Sequence, residues 1–341
     1  MTGSSASATD AFSVFYAVKP ASYFSNARAD FVDRLPRDGT AEILEIGCGN
    51  GATGALALSE GCCKRYVGVE LLERAADEAR EVLTEVVTGN VETLAFDWQP
   101  ASFDAIILSC KAFDLDSAME AIAPAVGERT LVVPLLNGVR HIDTLIARFG
   151  GERVLGGVAL ISAGLESDGG IRHLNKLHGL TIGALGGTPP PELETLSRVL
   201  AGAGFDFVLS GDIVQAMWDK IVFLATLAGA TCLMRASVGT IMMTLEGESY
   251  VSGLLGECAA IAEANGHGLS EAQLAVYRNM LTNRTSPLVA SMLRDVETGR
   301  PTEAEHILGD MINWANAGKV PAPRLGLAYS HLQAYERRRE A

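Results

Sequence analysis

The stretch from residue 43 to residue 54 constrains this chain more than any other. A short apolar run, residues 43–46, ends in Gly47-Cys48-Gly49-Asn50-Gly51-Ala52-Thr53-Gly54. Glycines placed directly after a strand let the backbone turn sharply and approach a ligand with no Cβ in the way. The helix that follows offers free N–H groups and a positive dipole end. Two registers fit a dinucleotide pattern, residues 47–52 as GxGxxA and residues 49–54 as GxGxxG. A second strand, residues 66–69, delivers Glu70, 21 residues after Gly49. An acid there accepts hydrogen bonds from ribose hydroxyls and repels a 2′-phosphate, which favours NAD over NADP. Gly47, Gly49, Gly51 and Glu70 are therefore candidate cofactor-binding residues.

Alternation of strand and helix continues beyond this unit. Leu72, Ala75, Ala76, Ala79, Leu83 and Val86 recur at helical spacing, and residues 91–96 and 104–108 read as further strands. Residues 116–126 read as a helix, 130–136 as a strand closed by Asn137-Gly138, 142–149 as a helix and 154–162 as a strand. Residues 170–177 and 180–185 suggest a hairpin around Gly179. A helix opened by Pro189–Pro191 and a strand at 205–209 finish this half. After Gly211 the strand signal stops, and helical patterns cover 213–234, 250–264, 271–281, 287–297, 303–317 and 323–339. The expected fold is an α/β Rossmann-like, doubly wound parallel sheet over residues 1–211, followed by an all-α substrate and dimerisation domain over 212–341.

With 27 Lys and Arg against 41 Asp and Glu, the net charge is −14. Such a surface repels phosphate backbones, which argues against nucleic acid and against an anionic membrane as partners. Residues 1–10 carry neither a basic nor an apolar segment and read as a tail rather than a signal peptide. Six cysteines at 48, 62, 63, 110, 232 and 258 show no CxxC, and no HExxH is present. Neither a disulfide framework nor a metal site is expected, and the reading is of a reducing, cytoplasmic compartment.

Two resemblances refine this. Glu45-Ile46-Gly47-Cys48-Gly49-Asn50-Gly51, Tyr66-Val67-Gly68-Val69-Glu70, Gly89-Asn90-Val91-Glu92 and Ser102-Phe103-Asp104-Ala105-Ile106-Ile107-Leu108-Ser109 resemble class I S-adenosylmethionine methyltransferases over residues 12–109. The resemblance implies that Gly47, Gly49 and Gly51 pass the methionine part, that Glu70 holds the ribose, and that Asn90 and Val91 flank adenine. The acceptor-side elements of that family are absent downstream.

From about residue 104 to 335 the chain is similar to the ketopantoate reductase (2-dehydropantoate 2-reductase) family. The similarity is carried by Ser109-Cys110-Lys111-Ala112-Phe113, Pro134-Leu135-Leu136-Asn137-Gly138-Val139, Gly156-Gly157-Val158, Met217-Trp218-Asp219-Lys220, Ser291-Met292-Leu293-Arg294-Asp295 and Thr302-Glu303-Ala304-Glu305. It implies reduction of a small 2-oxoacid by NADP or NAD. In that family the residue matching Lys220 protonates the developing alkoxide. Glu303 would hold the substrate and the lysine, Ser291 would contact the substrate carboxylate, and Lys111 and Asn137 would line the nicotinamide side. The family's asparagines four and eight residues after the lysine are Leu224 and Ala228 here, which departs from a pantoate-binding pattern.

The residues themselves lead the same way. Lys220 stands in a run almost free of charge, where lost solvation lowers a lysine pKa and makes it a usable general acid. Lys111 follows a strand at the carboxyl edge of a sheet, where ligands bind. Three functions are compatible with the sequence: a nicotinamide-dependent 2-oxoacid reductase, a methyltransferase, and a nucleotide-binding hybrid without catalysis. The apolar surface of the helical half is compatible with a homodimer.

Overall fold

Parallel pairing of residues 41–46 with 63–70 is the framework around which the front of the chain folds. The computed structural model describes residues 27–33, 35, 37–89, 94, 103–165 and 171–340. The chain divides into two compact units, residues 1–97 and 98–341.

In the first unit, helix α1 (Ala29–Val32) precedes β1 (Ala41–Ile46), α2 (Ala52–Ser59), β2 (Cys63–Glu70), α3 (Glu73–Arg80) and β3 (Glu85–Thr88). The sheet order is β1-β2-β3, all parallel. Small residues set how closely the helices sit: α3 buries Ala75, Ala76 and Ala79, and α2 buries Thr53, Gly54 and Ala57. Gly68 has no room for a side chain, since a Cβ there would lie 2.4 Å from Cys48 Sγ. The helical spacing read through Val86 breaks earlier than expected. Helix α3 stops at Arg80, and Val86 and Val87 pair with Gly68 and Val69 as β3, the extended pairing that β-branched residues favour. The strand expected at 91–96, with Asn90 and Val91 beside it, lies outside the described residues apart from Leu94.

In the second unit, β4 (Ala105–Leu108) pairs in parallel with β5 (Leu131–Pro134), and a parallel bridge from Val132 to Val154 leads on from β5. Helices α4 (Leu115–Ile122) and α5 (His141–Phe149) pack on these strands through Leu115, Met119, Ile142, Leu145 and Phe149. Strand β6 (Leu155–Leu165) runs antiparallel to β7 (Ile171–Ala184), which pairs in parallel with β8 (Asp206–Leu209) after α6 (Glu192–Ala201). The hairpin expected around Gly179 is thus a misreading. Gly179 sits within a continuous 14-residue strand, with the cross-strand partner Leu160.

The remainder is helical: α7 (Ile213–Met234), α8 (Val238–Met242), α9 (Gly247–Ala264), α10 (Glu271–Leu281), α11 (Ser291–Glu297), a π-turn (Glu305–Gly309), α12 (Asp310–Gly318) and α13 (Pro323–Glu340). Asp212 caps α7 by accepting from Gln215 N, and Arg235 ends it in the left-handed conformation. Helix α7 is apolar on nearly every side because α9, α11 and α13 surround it. Val222, Leu254 and Ile261 are fully buried there, and each contributes roughly 1.5–3 kcal/mol relative to exposure. By length and composition alone α7 would also pass as a membrane span, yet 67% of its most apolar window is buried inside the protein.

Candidate active site

The glycine turn of the first unit has the backbone that only glycine adopts readily. Gly47, Gly49 and Gly51 have φ of +77°, +56° and +81°. A Cβ on Gly47 would meet nothing within 4 Å, so the turn opens to space there, whereas a Cβ on Gly51 would press on Val82, Leu83 and Ala79. A Cβ on Gly54 would lie 2.4 Å from Leu83 and 2.5 Å from Tyr66. Close helix-to-strand packing is the role of the third glycine in a dinucleotide turn, so the geometry favours the 49–54 register. Glu70 is buried, and its two carboxylate oxygens accept from Gly49 N at 2.8 Å and Leu72 N at 3.0 Å. Each oxygen keeps a further lone pair for a ligand hydroxyl. Beneath the turn, burial and then the Glu70 and Glu45 carboxylates push the Cys48 thiol up to about 12, which leaves it an inert filler.

In the second unit the carboxyl end of β4 leads directly to Lys111. Its Nζ lies 3.1 Å from Asp295 Oδ2 on α11 and 3.2 Å from Glu303 Oε2. Glu303, only 5% exposed, also accepts from Ala112 N at 3.2 Å. Burial alone would lower the Lys111 pKa. The Glu303 and Asp295 carboxylates outweigh it and hold the ammonium above its usual range. The sequence placed Glu303 against Lys220. Its direct bonds are instead to Lys111 and Ala112, and it acts on Lys220 through charge.

Lys220 is half-buried on α7, and its Nζ donates to Ala159 O of β6 at 2.9 Å. Burial pushes its pKa down to about 8, against the opposing pull of Glu303. An ammonium that gives up its proton this readily suits proton transfer near neutral pH. One and two turns further along α7 stand Leu224, half-buried, and Ala228, 2% exposed.

Asn137 lies half-buried in the turn after β5, followed by Gly138 at φ +102°. This turn packs against the π-turn, since a Cβ on Gly138 would sit 3.2 Å from His306 O. Ser291 is exposed at the first position of α11, one turn before Asp295.

Several polar groups here went unread in the sequence. Asp295 stood inside a quoted motif, four residues after Ser291, and nothing local marks it as the partner of a lysine 184 residues away. His141 follows the Asn137-Gly138 turn, is 4% exposed, and has no partner for Nε2 among the described residues. Burial, then the charges of Lys220 and His306, push its pKa down to about 4. Asp310, 2% exposed, pairs through Oδ1 with Arg140 at 3.0 Å and leaves Oδ2 unpartnered among the described residues. Its carboxyl is held above the usual range by burial. Among the described residues no group of His, Cys, Asp and Glu could hold a metal ion.

Comparisons with known proteins identify the family. A family model described as ketopantoate reductase PanE/ApbA matches residues 68–187, and the model of that family's C-terminal part matches residues 212–336. The likeness thus begins 36 residues upstream of the position read from the sequence, inside β2. An uncharacterized oxidoreductase of Bacillus subtilis, YkpB, is 31% identical over 238 residues, covering 70% of this chain and 78% of the relative. A 2-dehydropantoate 2-reductase of Streptococcus pyogenes is 26% identical over 207 residues, covering 60% of this chain and 67% of the relative. Among solved structures, 2-dehydropantoate 2-reductase from Methylococcus capsulatus superposes with a TM-score of 0.67 at 25% identity, covering 88% of this chain and 98% of that one. D-mandelate dehydrogenase with NADH and anilino(oxo)acetate superposes with a TM-score of 0.68 at 19% identity, over 88% and 100%. Coverage of 88% exceeds what residues 98–341 supply, so the structural likeness extends into the first unit. From the two family models and the Bacillus subtilis relative together, the chain belongs to the ketopantoate reductase PanE/ApbA family of oxidoreductases.

Proposed function

We propose that this protein reduces a small 2-oxoacid to the 2-hydroxy acid with a nicotinamide dinucleotide, Lys220 being the proton donor. The observation that carries the reading is Lys220 itself. It is a lysine set in an apolar helix, with one hydrogen bond to a main-chain carbonyl and a facing carboxylate, Glu303.

Gly47, Gly49 and Gly51 fit a dinucleotide turn because all three hold positive φ, Gly47 leaves open space where a Cβ would stand, and Glu70 offers lone pairs to a ribose. When bound, the cofactor supplies a hydride to the 2-oxo carbon. Lys220 then delivers its proton to the developing alkoxide oxygen. Glu303, through its charge, keeps enough of Lys220 protonated for that transfer. Lys111 and Asn137 are assigned to the nicotinamide side and Ser291 to the substrate carboxylate. Glu70 favours NAD over NADP, because a buried carboxylate repels a 2′-phosphate.

Leu224 and Ala228 supply no polar group on the turns after Lys220. This favours an apolar substituent on the oxoacid, phenylglyoxylate before 2-dehydropantoate. We assign residues 1–211 to nucleotide binding and 212–341 to substrate binding and dimerisation. The change from strand to helix after β8 supports that division, and a dimeric ketopantoate reductase from Staphylococcus aureus has a similar fold. The six free thiols fit the cytoplasm.

A second reading is favoured by one observation. Residues 45–51, whose wording resembles a methyltransferase turn, precede the family match that begins at residue 68. The turn would then hold S-adenosylmethionine, in a methyltransferase-like protein or a hybrid without catalysis. Calorimetric titration with NADH, NADPH and S-adenosylmethionine in parallel separates the readings. Binding of NADH in preference to NADPH is expected, and binding of S-adenosylmethionine alone would overturn the reductase.

A further inference from the structure

Glu303 was assigned above to the reduction, and the inference here rests on that reading. Its carboxylate meets Lys111 and Ala112 N only if the chain between α11 and the π-turn places it there. That connection has little packing of its own, because residues 297–301 are all exposed. Helix α11 closes on Gly299, at φ +73°, with Arg300 N donating to Asp295 O at 2.8 Å. This cap ends the helix and leaves the course of Pro301, Thr302 and Glu303 open. Thr302 is nevertheless buried, at 9% exposure, so its polar groups need partners.

Helix α13 supplies them. Its core positions, Leu325, Ala328 and Leu332, follow one another at three- and four-residue spacing, and Tyr335 and Glu336 continue that face. Tyr335 Oη donates to Arg300 O at 2.8 Å. Glu336 Oε1 accepts from Thr302 N at 2.8 Å and from Thr302 Oγ1 at 2.6 Å. Oε2 of the same carboxylate accepts from Arg339 Nε at 2.8 Å. Burial alone would raise the Glu336 pKa, but the bonds from Thr302 and Arg339 outweigh it and hold the carboxyl below its usual range. Two turns before Glu336, Tyr329 Oη donates to Glu305 Oε2, so α13 grips the chain on both sides of Glu303. The helix is itself anchored at its start, where the buried Glu257 Oε2 of α9 accepts from Arg324 N and Leu325 N, each at 3.0 Å.

We propose that Glu336 is a positioning residue for this site: it holds Thr302 and thereby sets the neighbouring Glu303 carboxylate against Lys111 and Ala112 N. Tyr335 braces the same connection at Arg300. Hydrogen bonds to a carboxylate are about twice as strong as neutral ones, so the two from Thr302 can fix a segment that has no packing of its own. A misplacement of about 1 Å at a site group costs about 100-fold in rate. Glu336 acts through Glu303 and not on the substrate.

The test measures kcat/KM with NADH and either phenylglyoxylate or 2-dehydropantoate, alongside thermal unfolding, in wild type and five variants. These are Glu336→Met, Glu336→Gln, Glu303→Ala, Glu303→Ala with Glu336→Met, and Lys220→Ala. Glu336→Met keeps the length and helix preference of glutamate and removes both acceptors, so kcat/KM should fall about tenfold or more. Glu336→Gln keeps an oxygen for Thr302 and should recover most of that loss. With Glu303→Ala in place no carboxylate is left to position, so adding Glu336→Met should cost less than about twofold. A folded Glu336→Met protein with wild-type kcat/KM would overturn the proposal. So would an equal loss in both backgrounds, the mark of a purely structural role. Should Glu336→Met melt well below wild type, Thr302→Val removes the hydroxyl bond from the other side. Its loss must likewise vanish beside Glu303→Ala, and an additive loss overturns the proposal. A Lys220→Ala protein that reduces as fast as wild type, or a wild type that reduces neither oxoacid, would overturn the functional reading instead.

Discussion

Replacing Lys220 with methionine should make the protein more stable while it stops turnover. In the folded state the lysine titrates at about 8, against 10.5 for a free side chain. Between these values the unfolded chain binds more protons than the folded one, so stability rises with pH across that window. Below pH 8 the charged lysine costs the fold a constant amount, about 3 kcal/mol at about 1.4 kcal/mol per pKa unit. Methionine removes that cost and fills a similar volume. It also removes the bond to Ala159 O, which is worth about 1 kcal/mol. The net gain at pH 7 is about 2 kcal/mol, and it should shrink to nothing or reverse by pH 10.5. Trp218 of α7 packs against Trp314 with centroids 4.5 Å apart and rings tilted by 44°, so tryptophan fluorescence follows unfolding of the region that holds Lys220. Urea midpoints of wild type and variant, measured from pH 6 to 10.5, give the difference directly. A variant that is less stable at pH 7, or a difference that does not change with pH, would refute the reasoning.

Three further outcomes are expected. The reduction rate should fall as pH rises through about 8, because the active form carries the proton. Glu303→Gln removes the charge that raises the Lys220 pKa, so the alkaline limb of its pH–rate profile should move to lower pH; an unmoved limb would detach Glu303 from Lys220. Lys111→Met removes the ion-pair partner of the buried Glu303 and the half-buried Asp295, and urea midpoints should show a loss of about 2–3 kcal/mol, less than for a fully enclosed pair because Lys111 is 41% exposed. Gly54→Ala forces a Cβ against Leu83 and Tyr66 and should cost about 1–3 kcal/mol, with weaker NADH binding by calorimetry.

Much of this was legible in the sequence where the signal is local. The bounds of α7, residues 213–234, follow from a long helical pattern almost free of charge after Gly211, and the glycine turn follows from its spacing. Legibility failed where a residue answers to a distant partner. Val86 has helical spacing but joins a strand because β2 lies beside it, and Gly179 looks like a turn but continues a strand because β6 supplies its hydrogen bonds. Lys220, Lys111 and Glu303 could be named, yet which carboxylate bonds which lysine could not. The Lys111 contacts to Asp295 and Glu303 span 184 and 192 residues. His141 and Asp310 carry no motif of their own, and only their burial without full hydrogen bonding marks them.

The most direct measurement is the loss of reduced-nicotinamide absorbance when NADH is mixed with phenylglyoxylate or 2-dehydropantoate, in wild type and in Lys220→Ala. Wild type should oxidise NADH only when a 2-oxoacid is present, and Lys220→Ala should be slower by roughly 10²–10⁴ in kcat while still binding NADH. Reduction that persists unchanged without Lys220, or no reduction of any 2-oxoacid by wild type that binds NADH, would contradict the assignment.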